Sequence, residues 1–107
     1  MKLQELADSL TAKNLTLSCV ESCTGGLLAK SITDLAGSSS WFNGGLITYS
    51  NAMKIKLGVN AGDIETHGAV SRPVVEQMAI NGLDFCASDW SIAVTGIAGP
   101  GGGRIEK

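Results

Sequence analysis

The run Glu21-Ser22-Cys23-Thr24-Gly25-Gly26 holds the residues best suited to chemistry in this chain. It follows a short apolar stretch at residues 15–20 and leads into a helical pattern at residues 27–32. A strand, a glycine-containing turn and a helix start would place the hydroxyls of Ser22 and Thr24 beside backbone N–H groups that lack helical partners. Such groups attract negative charge, whether a phosphate or a developing oxyanion. The run therefore predicts a binding or catalytic site.

Two further polar segments flanked by glycine accompany this run, one from Gly45 to Lys56 and one from Thr95 to Gly103. In sheets with parallel strands, ligands gather where strand ends meet helix starts. Because three such segments occur in one short chain, we expect them to form a single assembled site.

The cysteines favour neither a disulfide framework nor a metal centre. Cys19, Cys23 and Cys86 are odd in number and lack paired CxxC spacing, which is typical of reduced thiols in a cytoplasmic protein. Cys23 is a candidate nucleophile because it adjoins Ser22, but a thiol usually needs a histidine base. The only histidine is His67, in a turn-like Thr66-His67-Gly68 segment. We therefore interpret Cys23 as a small filler of the turn and His67 as a turn residue.

Size and composition set the class of protein. A chain of 107 residues, 44% hydrophobic and 17% charged, forms one domain with one core. The net charge is −2 with no basic cluster, which argues against a nucleic-acid partner. No apolar run approaches the roughly 18 residues of a membrane span. Acidic residues at Glu5 and Asp8 exclude a signal peptide.

Hydrophobic periodicity and turn residues predict helices alternating with strands. We expect helices at residues 2–13, 25–35 and 51–57 and another capped by Ser71, and strands at 15–20, 45–50 and 90–94. Residues 60–71 are expected to form turns, or turns with one helical turn around Asp63 to Thr66. Asn14 and Gly58 are predicted to end helices, and Asn51 to cap one. This alternation predicts an α/β sandwich with at least partly parallel strands.

The C-terminal end has no obvious closing element. Residues 104–107 follow a glycine-rich loop, and neither a strand nor a helix pattern comes after it. We therefore expect that C-terminal sequence is missing.

Four segments in order carry a resemblance to a known family. They are Glu21 to Gly26, Gly45 to Asn51 with Lys54, His67-Gly68-Ala69-Val70-Ser71, and Val94-Thr95-Gly96-Ile97-Ala98-Gly99-Pro100-Gly101-Gly102. Over nearly the whole chain, they resemble the CinA C-terminal domain family. The resemblance implies a three-layer α/β/α sandwich with a mixed, mostly parallel sheet. Residues 1–107 would form a single domain covering the N-terminal two thirds of the family domain.

The resemblance also implies an activity. It is hydrolysis of the carboxamide of nicotinamide mononucleotide to nicotinate mononucleotide and ammonia, in pyridine-nucleotide salvage, without a cofactor. The resemblance supports the positions of Ser22, Tyr49 and Lys54. Our hypothesis is a Ser22 nucleophile with Lys54 tuning Tyr49 or Ser22, since a confined lysine can have a lowered pKa and a tyrosine can relay a proton. Backbone N–H groups near Thr24 and Gly25 would stabilise the oxyanion.

A second set of residues is expected to contact the mononucleotide. It comprises Glu21, Thr24, Gly25, Gly26, Asn51, Thr95, Gly96, Gly99 and Gly101. Thr95 would donate to the phosphate or the ribose. The glycine loop at 99–103 lacks the lysine-serine pair of a nucleoside-triphosphate site. Ser22 could alternatively act only as a helix cap, with no chemistry.

Two departures from the family pattern leave alternatives open. The segment from Tyr49 to Val59 is one residue shorter than usual, so Lys56 could replace Lys54 as the active amine. The family continues past Lys107 with strands and a helix, and without them we expect weak or absent activity. An exposed sheet edge would then favour a dimer. A non-catalytic nucleotide-binding module and a partner-binding domain are the competing functions.

Overall fold

The computed structural model describes residues 2–96 as one three-stranded sheet with helices on both faces. The elements are α1 Leu3–Lys13, β1 Leu17–Glu21, α2 Leu27–Thr33, a 3₁₀ turn Ser38–Ser40, β2 Phe42–Ile47, α3 Asn51–Leu57, α4 Ala61–His67, α5 Arg72–Cys86 and β3 Trp90–Val94. Among the described residues, no helix combines the length and the hydropathy needed to cross a membrane.

Strand β1 is the centre of the sheet, whose order is β2-β1-β3. It pairs in parallel with both neighbours, so that Glu21 lies opposite Ile47 on one side and Val94 on the other. All five residues of β1 are buried. The carboxyl ends of the three strands therefore meet at one edge of the sheet, where residues 22, 48 and 95 follow.

The two faces of the sheet carry separate hydrophobic clusters. One contains Ala7, Leu10, Leu17, Ile32 and Trp41. The other contains Val20, Val59, Ile64, Val74 and Met78. Because alternate side chains of a strand point to opposite faces, Leu17 and Val20 of β1 belong to different clusters. Helices thus cover both faces, which confirms the predicted α/β/α sandwich.

The sheet within residues 2–96 contains parallel strands only. The mixed sheet that the resemblance implies requires an antiparallel strand, and this part of the chain does not include one. The parallel arrangement follows from the crossovers, since a helix separates each strand from the next.

The turn before α2 shortens the predicted helix. We expected a helix at residues 25–35, but α2 spans Leu27–Thr33. Gly25 and Gly26 have φ angles of 60° and 107°, which a right-handed helix excludes and glycine accepts readily. A Cβ on Gly26 would also lie 3.1 Å from Ile47 Cδ1.

Strand β2 and its connection to α3 also differ from expectation. The strand was predicted at residues 45–50, yet it begins at Phe42 and ends at Ile47. The chain leaves the sheet early because Ser50 caps α3: its Oγ accepts a hydrogen bond of 3.1 Å from the N–H of Met53. Ser50 and not Asn51 is therefore the N-cap.

The remaining predicted boundaries differ from the structure in smaller ways or agree with it. Strand β1 spans residues 17–21 where 15–20 was predicted. Residues 61–67, where turns or one helical turn at 63–66 were expected, form the longer helix α4, because Asn60 Oδ1 accepts from the N–H of Asp63 and caps it. Ser71 precedes α5 as expected, but its hydroxyl donates to the carbonyl of Gly68. The predicted ends of α1 at Asn14 and of α3 at Gly58 are confirmed, both in left-handed conformation.

Gly82 allows α5 to lie close to the central strand. A Cβ at this position would lie 2.3 Å from Val20 Cγ2, well inside van der Waals contact. Both residues are buried, so neither can move aside without displacing its neighbours.

We predict that Gly82→Ala destabilises the fold by about 1–3 kcal/mol, because the methyl group overpacks the contact between α5 and β1. Urea unfolding followed by circular dichroism measures the loss. Gly62→Ala is the control, since its added methyl meets only the side-chain oxygen of Asn60. Equal stability of the two variants would contradict the close packing.

Candidate active site

A cavity of about 320 Å³ opens at the carboxyl ends of the strands. Its lining residues are Ser22, Cys23, Tyr49, Asn51, Lys54, Ala69, Val70, Thr95 and Gly96. They come from the loops after β1, β2 and β3, from α3, and from the segment between α4 and α5. The volume falls at the lower end of the range of about 300–1,000 Å³ that small-molecule pockets occupy.

Lys54 is the most unusual group in this cavity because its side chain is only 1% exposed. Its Nζ lies 2.7 Å from the carbonyl oxygen of Thr48, 3.0 Å from that of Tyr49 and 3.0 Å from Ser22 Oγ. Within residues 2–96 the ion pairs involve other residues, so no carboxylate neutralises this amine. Burial lowers the pKa of Lys54, and the nearby Cys23 raises it to a smaller extent.

The three neighbours of Nζ determine what the amine can do. Carbonyl oxygens only accept hydrogen bonds, so a neutral amine directs its two N–H bonds to Thr48 and Tyr49. Its lone pair then faces Ser22 Oγ, which can donate its proton. This is the geometry of a general base beside a hydroxyl nucleophile.

Ser22 is held in place by the backbone on both sides. Its N–H donates to the carbonyl of Val94 at 3.1 Å, and its own carbonyl accepts from the N–H of Gly25 at 3.1 Å. The N–H of Gly25 is therefore used inside the turn and is not free for the oxyanion role that we expected. In the described part of the chain, the N–H groups of Cys23 and Thr24 have no acceptor and are the better candidates.

Glu21 faces away from the cavity. Its side chain is 1% exposed and accepts from the Thr24 hydroxyl at 2.7 Å and from the N–H groups of Leu28 and Ala29 at 2.8 and 2.9 Å. Burial alone would raise the pKa of Glu21, but these hydrogen bonds together hold it below its ordinary value. Neither Glu21 nor the Thr24 hydroxyl lines the cavity, although both were expected to contact substrate.

Tyr49 lies at the cavity with a side chain that is 72% exposed. Its backbone carbonyl bonds to Lys54, and no hydrogen bond among residues 2–96 links its phenol to Lys54 or Ser22. The proton relay through Tyr49 thus stays a prediction without support from this geometry.

The remaining expected contacts are divided between the cavity and other places. Asn51, Thr95 and Gly96 line the cavity, and Thr95 Oγ1 donates to the carbonyl of Ala69 at 3.1 Å. Gly25 and Gly26 form the turn before α2 and do not line the cavity. Gly99 and Gly101 lie outside the described residues.

The two lysines of α3 occupy different positions. Lys56 is exposed and borders a different depression beside Phe85, whereas Lys54 reaches Ser22. His67 is exposed at the end of α4 and is not part of the cavity. The described residues contain no cluster of three or more His, Cys, Asp or Glu side chains that could hold a metal ion.

Sequence reasoning missed part of the cavity wall. Ala69 and Val70 line it, and Cys23, interpreted as a filler, does so too. The signal for Ala69 and Val70 was their place in the third segment of the resemblance. Without the strand order, nothing in the sequence shows that the loop before α5 lies beside Ser22.

Comparisons with known proteins agree with one another. The profile of the CinA C-terminal domain matches residues 2–107. The chain is 52% identical over 104 residues to the nicotinamide-nucleotide amidohydrolase PncC of Enterobacter agglomerans, covering 96% of this chain and 63% of the relative. It is 48% identical over 105 residues to PncC of Escherichia coli strain K12, covering 97% of this chain and 64% of that relative.

A solved structure is similarly close. The competence damage-inducible protein A of Klebsiella pneumoniae matches with a TM-score of 0.91 and 37% identity, over 94% of this chain and 63% of that chain. The present chain thus spans slightly less than two thirds of the length of these relatives. The matched profile, the identities and the shared fold together establish that this chain belongs to the CinA C-terminal domain family.

Proposed function

We propose that this chain is an amidohydrolase that converts nicotinamide mononucleotide to nicotinate mononucleotide and ammonia. The observation that carries the proposal is the distance of 3.0 Å between Lys54 Nζ and Ser22 Oγ in a buried corner of the cavity. The names of relatives about 50% identical to this chain, nicotinamide-nucleotide amidohydrolase, support the substrate.

The first half of the reaction forms an acyl-enzyme. Neutral Lys54 takes the proton of Ser22 while Oγ attacks the carboxamide carbon. The carbonyl oxygen gains negative charge, which the N–H groups of Cys23 and Thr24 stabilise. The tetrahedral intermediate collapses when Lys54 returns the proton to the amide nitrogen, the C–N bond breaks, and ammonia leaves.

The second half releases the product. Water enters where ammonia left and loses a proton to Lys54 as it attacks the ester. The second intermediate collapses as the C–O bond to Ser22 breaks and the proton returns to Oγ, and the carboxylic acid so formed releases a proton to water to give the nicotinate carboxylate. One base serves both steps, which fits a cavity whose lining contains no histidine or carboxylate among residues 2–96.

Two other residues are suited to hold the mononucleotide. The pyridine ring of this substrate is a cation, and the exposed Tyr49 ring at the rim can receive it by a cation–π contact. Asn51, exposed at the start of α3, offers an amide to the ribose or phosphate. We assign Tyr49 to substrate binding on this basis.

We predict that Ser22→Ala lowers the rate of ammonia release from nicotinamide mononucleotide by roughly 10³-fold or more, because the acyl-enzyme cannot form. A coupled ammonia assay gives the rate, and calorimetry with nicotinate mononucleotide tests whether binding persists. Undiminished ammonia release would reject Ser22 as the nucleophile. Binding by the wild type without any turnover would favour the non-catalytic nucleotide-binding module.

We predict that Lys54→Met lowers kcat by about 10²–10⁴-fold, the range expected for loss of a general base. Methionine keeps the length of the apolar stem, so the variant removes mainly the amine. Lys56→Met is the matched control because the same change occurs two residues away on an exposed side chain. If Lys56→Met were the slower variant, the assignment of the base would be wrong.

A further inference from the structure

The buried carboxylate of Glu21 is surrounded by hydrogen-bond donors alone. Oε1 accepts from the Thr24 hydroxyl and the N–H of Leu28. Oε2 accepts from the N–H of Ala29 and lies 3.7 Å from the thiol of Cys19. None of the ion pairs among residues 2–96 includes Glu21, so these donors and the start of α2 are what stabilise its charge.

The backbone N–H groups in the first turn of α2 consequently find their acceptors within the protein. The N–H of Leu27 donates to the carbonyl of Thr24, those of Leu28 and Ala29 donate to Glu21, and that of Lys30 donates to the carbonyl of Gly26. The N–H groups of Leu27, Leu28 and Ala29, which lack helical partners, are thereby satisfied, and the bond from Lys30 to Gly26 is the first within the helix. The anion that we predicted at this helix start is the side chain of Glu21 and not a substrate phosphate.

Glu21 and Ser22 act on opposite sides of the sheet end. Consecutive side chains of a strand point to opposite faces. Glu21 turns toward α2, whereas Ser22 meets Lys54 of α3. The carboxylate thus fixes, from behind, the turn that carries the nucleophile and the N–H groups of Cys23 and Thr24.

The two oxygens of a carboxylate suit this position better than an amide would. Donors approach both oxygens, and glutamine would present its NH₂ group to one set of them. That mismatch would loosen either the Thr24 side or the Ala29 side of the turn. The lowered pKa of Glu21 agrees with an ionised side chain at neutral pH.

We propose that Glu21 is a positioning residue that sets the geometry of Ser22 and of the Cys23 and Thr24 N–H groups for catalysis, and does not contact the substrate. This inference rests on the proposed amidohydrolase function. A displacement of the nucleophile by a fraction of an ångström lowers kcat while leaving the binding of the mononucleotide intact.

The direct test compares Glu21→Gln with Glu65→Gln, an exposed glutamate given the same change. For Glu21→Gln we expect kcat for nicotinamide mononucleotide to fall roughly 10–100-fold, with KM changed by less than about 3-fold. Rates are expressed per site competent to bind nicotinate mononucleotide, counted by calorimetry, so that unfolded protein does not lower kcat. A large rise in KM with unchanged kcat would assign Glu21 to substrate binding and overturn the inference.

A second pair of variants, which perturbs the turn less, tests the inference even if Glu21→Gln does not fold. Thr24→Val removes one donor to Glu21 at constant shape, and Thr24→Ser restores the hydroxyl. We expect kcat to fall in Thr24→Val and to recover in Thr24→Ser. Equal kcat in Thr24→Val and Thr24→Ser would contradict the positioning role of Glu21.

A readout that does not use turnover separates this inference from the proposed function. The rate at which diisopropyl fluorophosphate modifies Ser22, measured by peptide mass spectrometry, should fall about 10-fold or more in Glu21→Gln. It should stay unchanged in Glu65→Gln. If the wild type released no ammonia but these modification rates were as expected, the proposed substrate would be rejected while the positioning role of Glu21 would stand. Equal modification rates in wild type and Glu21→Gln would reject that role.

Discussion

The site depends on a buried lysine amine that has no carboxylate partner among residues 2–96. Water is excluded from Lys54, and the acceptors around Nζ are two backbone carbonyls and one hydroxyl. Burying a charged amine in such surroundings is unfavourable, so the surroundings favour the neutral form. The same two carbonyls orient that neutral amine toward Ser22. One local arrangement thus lowers the pKa of the amine and orients it toward Ser22, as a general base requires.

The rest of the fold serves to bring this arrangement together. Lys54 and Ser22 are 32 residues apart and meet because parallel strands end at the same edge of the sheet. The early exit of β2 at Ile47 and the cap of α3 by Ser50 place the carbonyls of Thr48 and Tyr49 over the lysine. Behind the sheet, Glu21 satisfies the start of α2 and leaves Ser22 to face the opposite layer. Glu21 at the end of β1 and Ser22 directly after it therefore lie on different sides of the sheet, which separates the supporting group from the reacting group.

Much of the fold could be predicted because periodicity and glycine punctuation are local properties. The alternation of helices and strands and the end of α1 at Asn14 follow from short patterns, whereas the three-layer α/β/α class came from the resemblance. The start of α2 could not be predicted, since the φ angles of Gly25 and Gly26 depend on the packing of the turn against Ile47. Only one helical turn could be anticipated within residues 61–67, because a short helix with a glycine carries little periodicity and depends on its Asn60 cap.

The site, too, could be predicted only in part, because some of its contacts depend on the packing of the fold. The resemblance supported Ser22 and Lys54, but the shorter segment before Val59 left Lys56 open as the active amine. The sequence alone does not show which of the two lysines lies on the face of α3 that meets the sheet. It also could not show that the Thr24 hydroxyl and Glu21 bond to each other, since this contact requires the fold of the turn. The phenol of Tyr49 was expected to act on protons, but its position at the rim is better suited to holding a ring.

The most direct test of this account is the ionisation of Lys54 itself. Lysine labelled with ¹³C at Cε allows each amine to be titrated by NMR, with Lys54→Met identifying the signal. If Lys54 is the base, its pKa lies below the ordinary lysine value of 10.5. A pKa for Lys54 at or above 10.5 would contradict the neutral amine on which the mechanism is built.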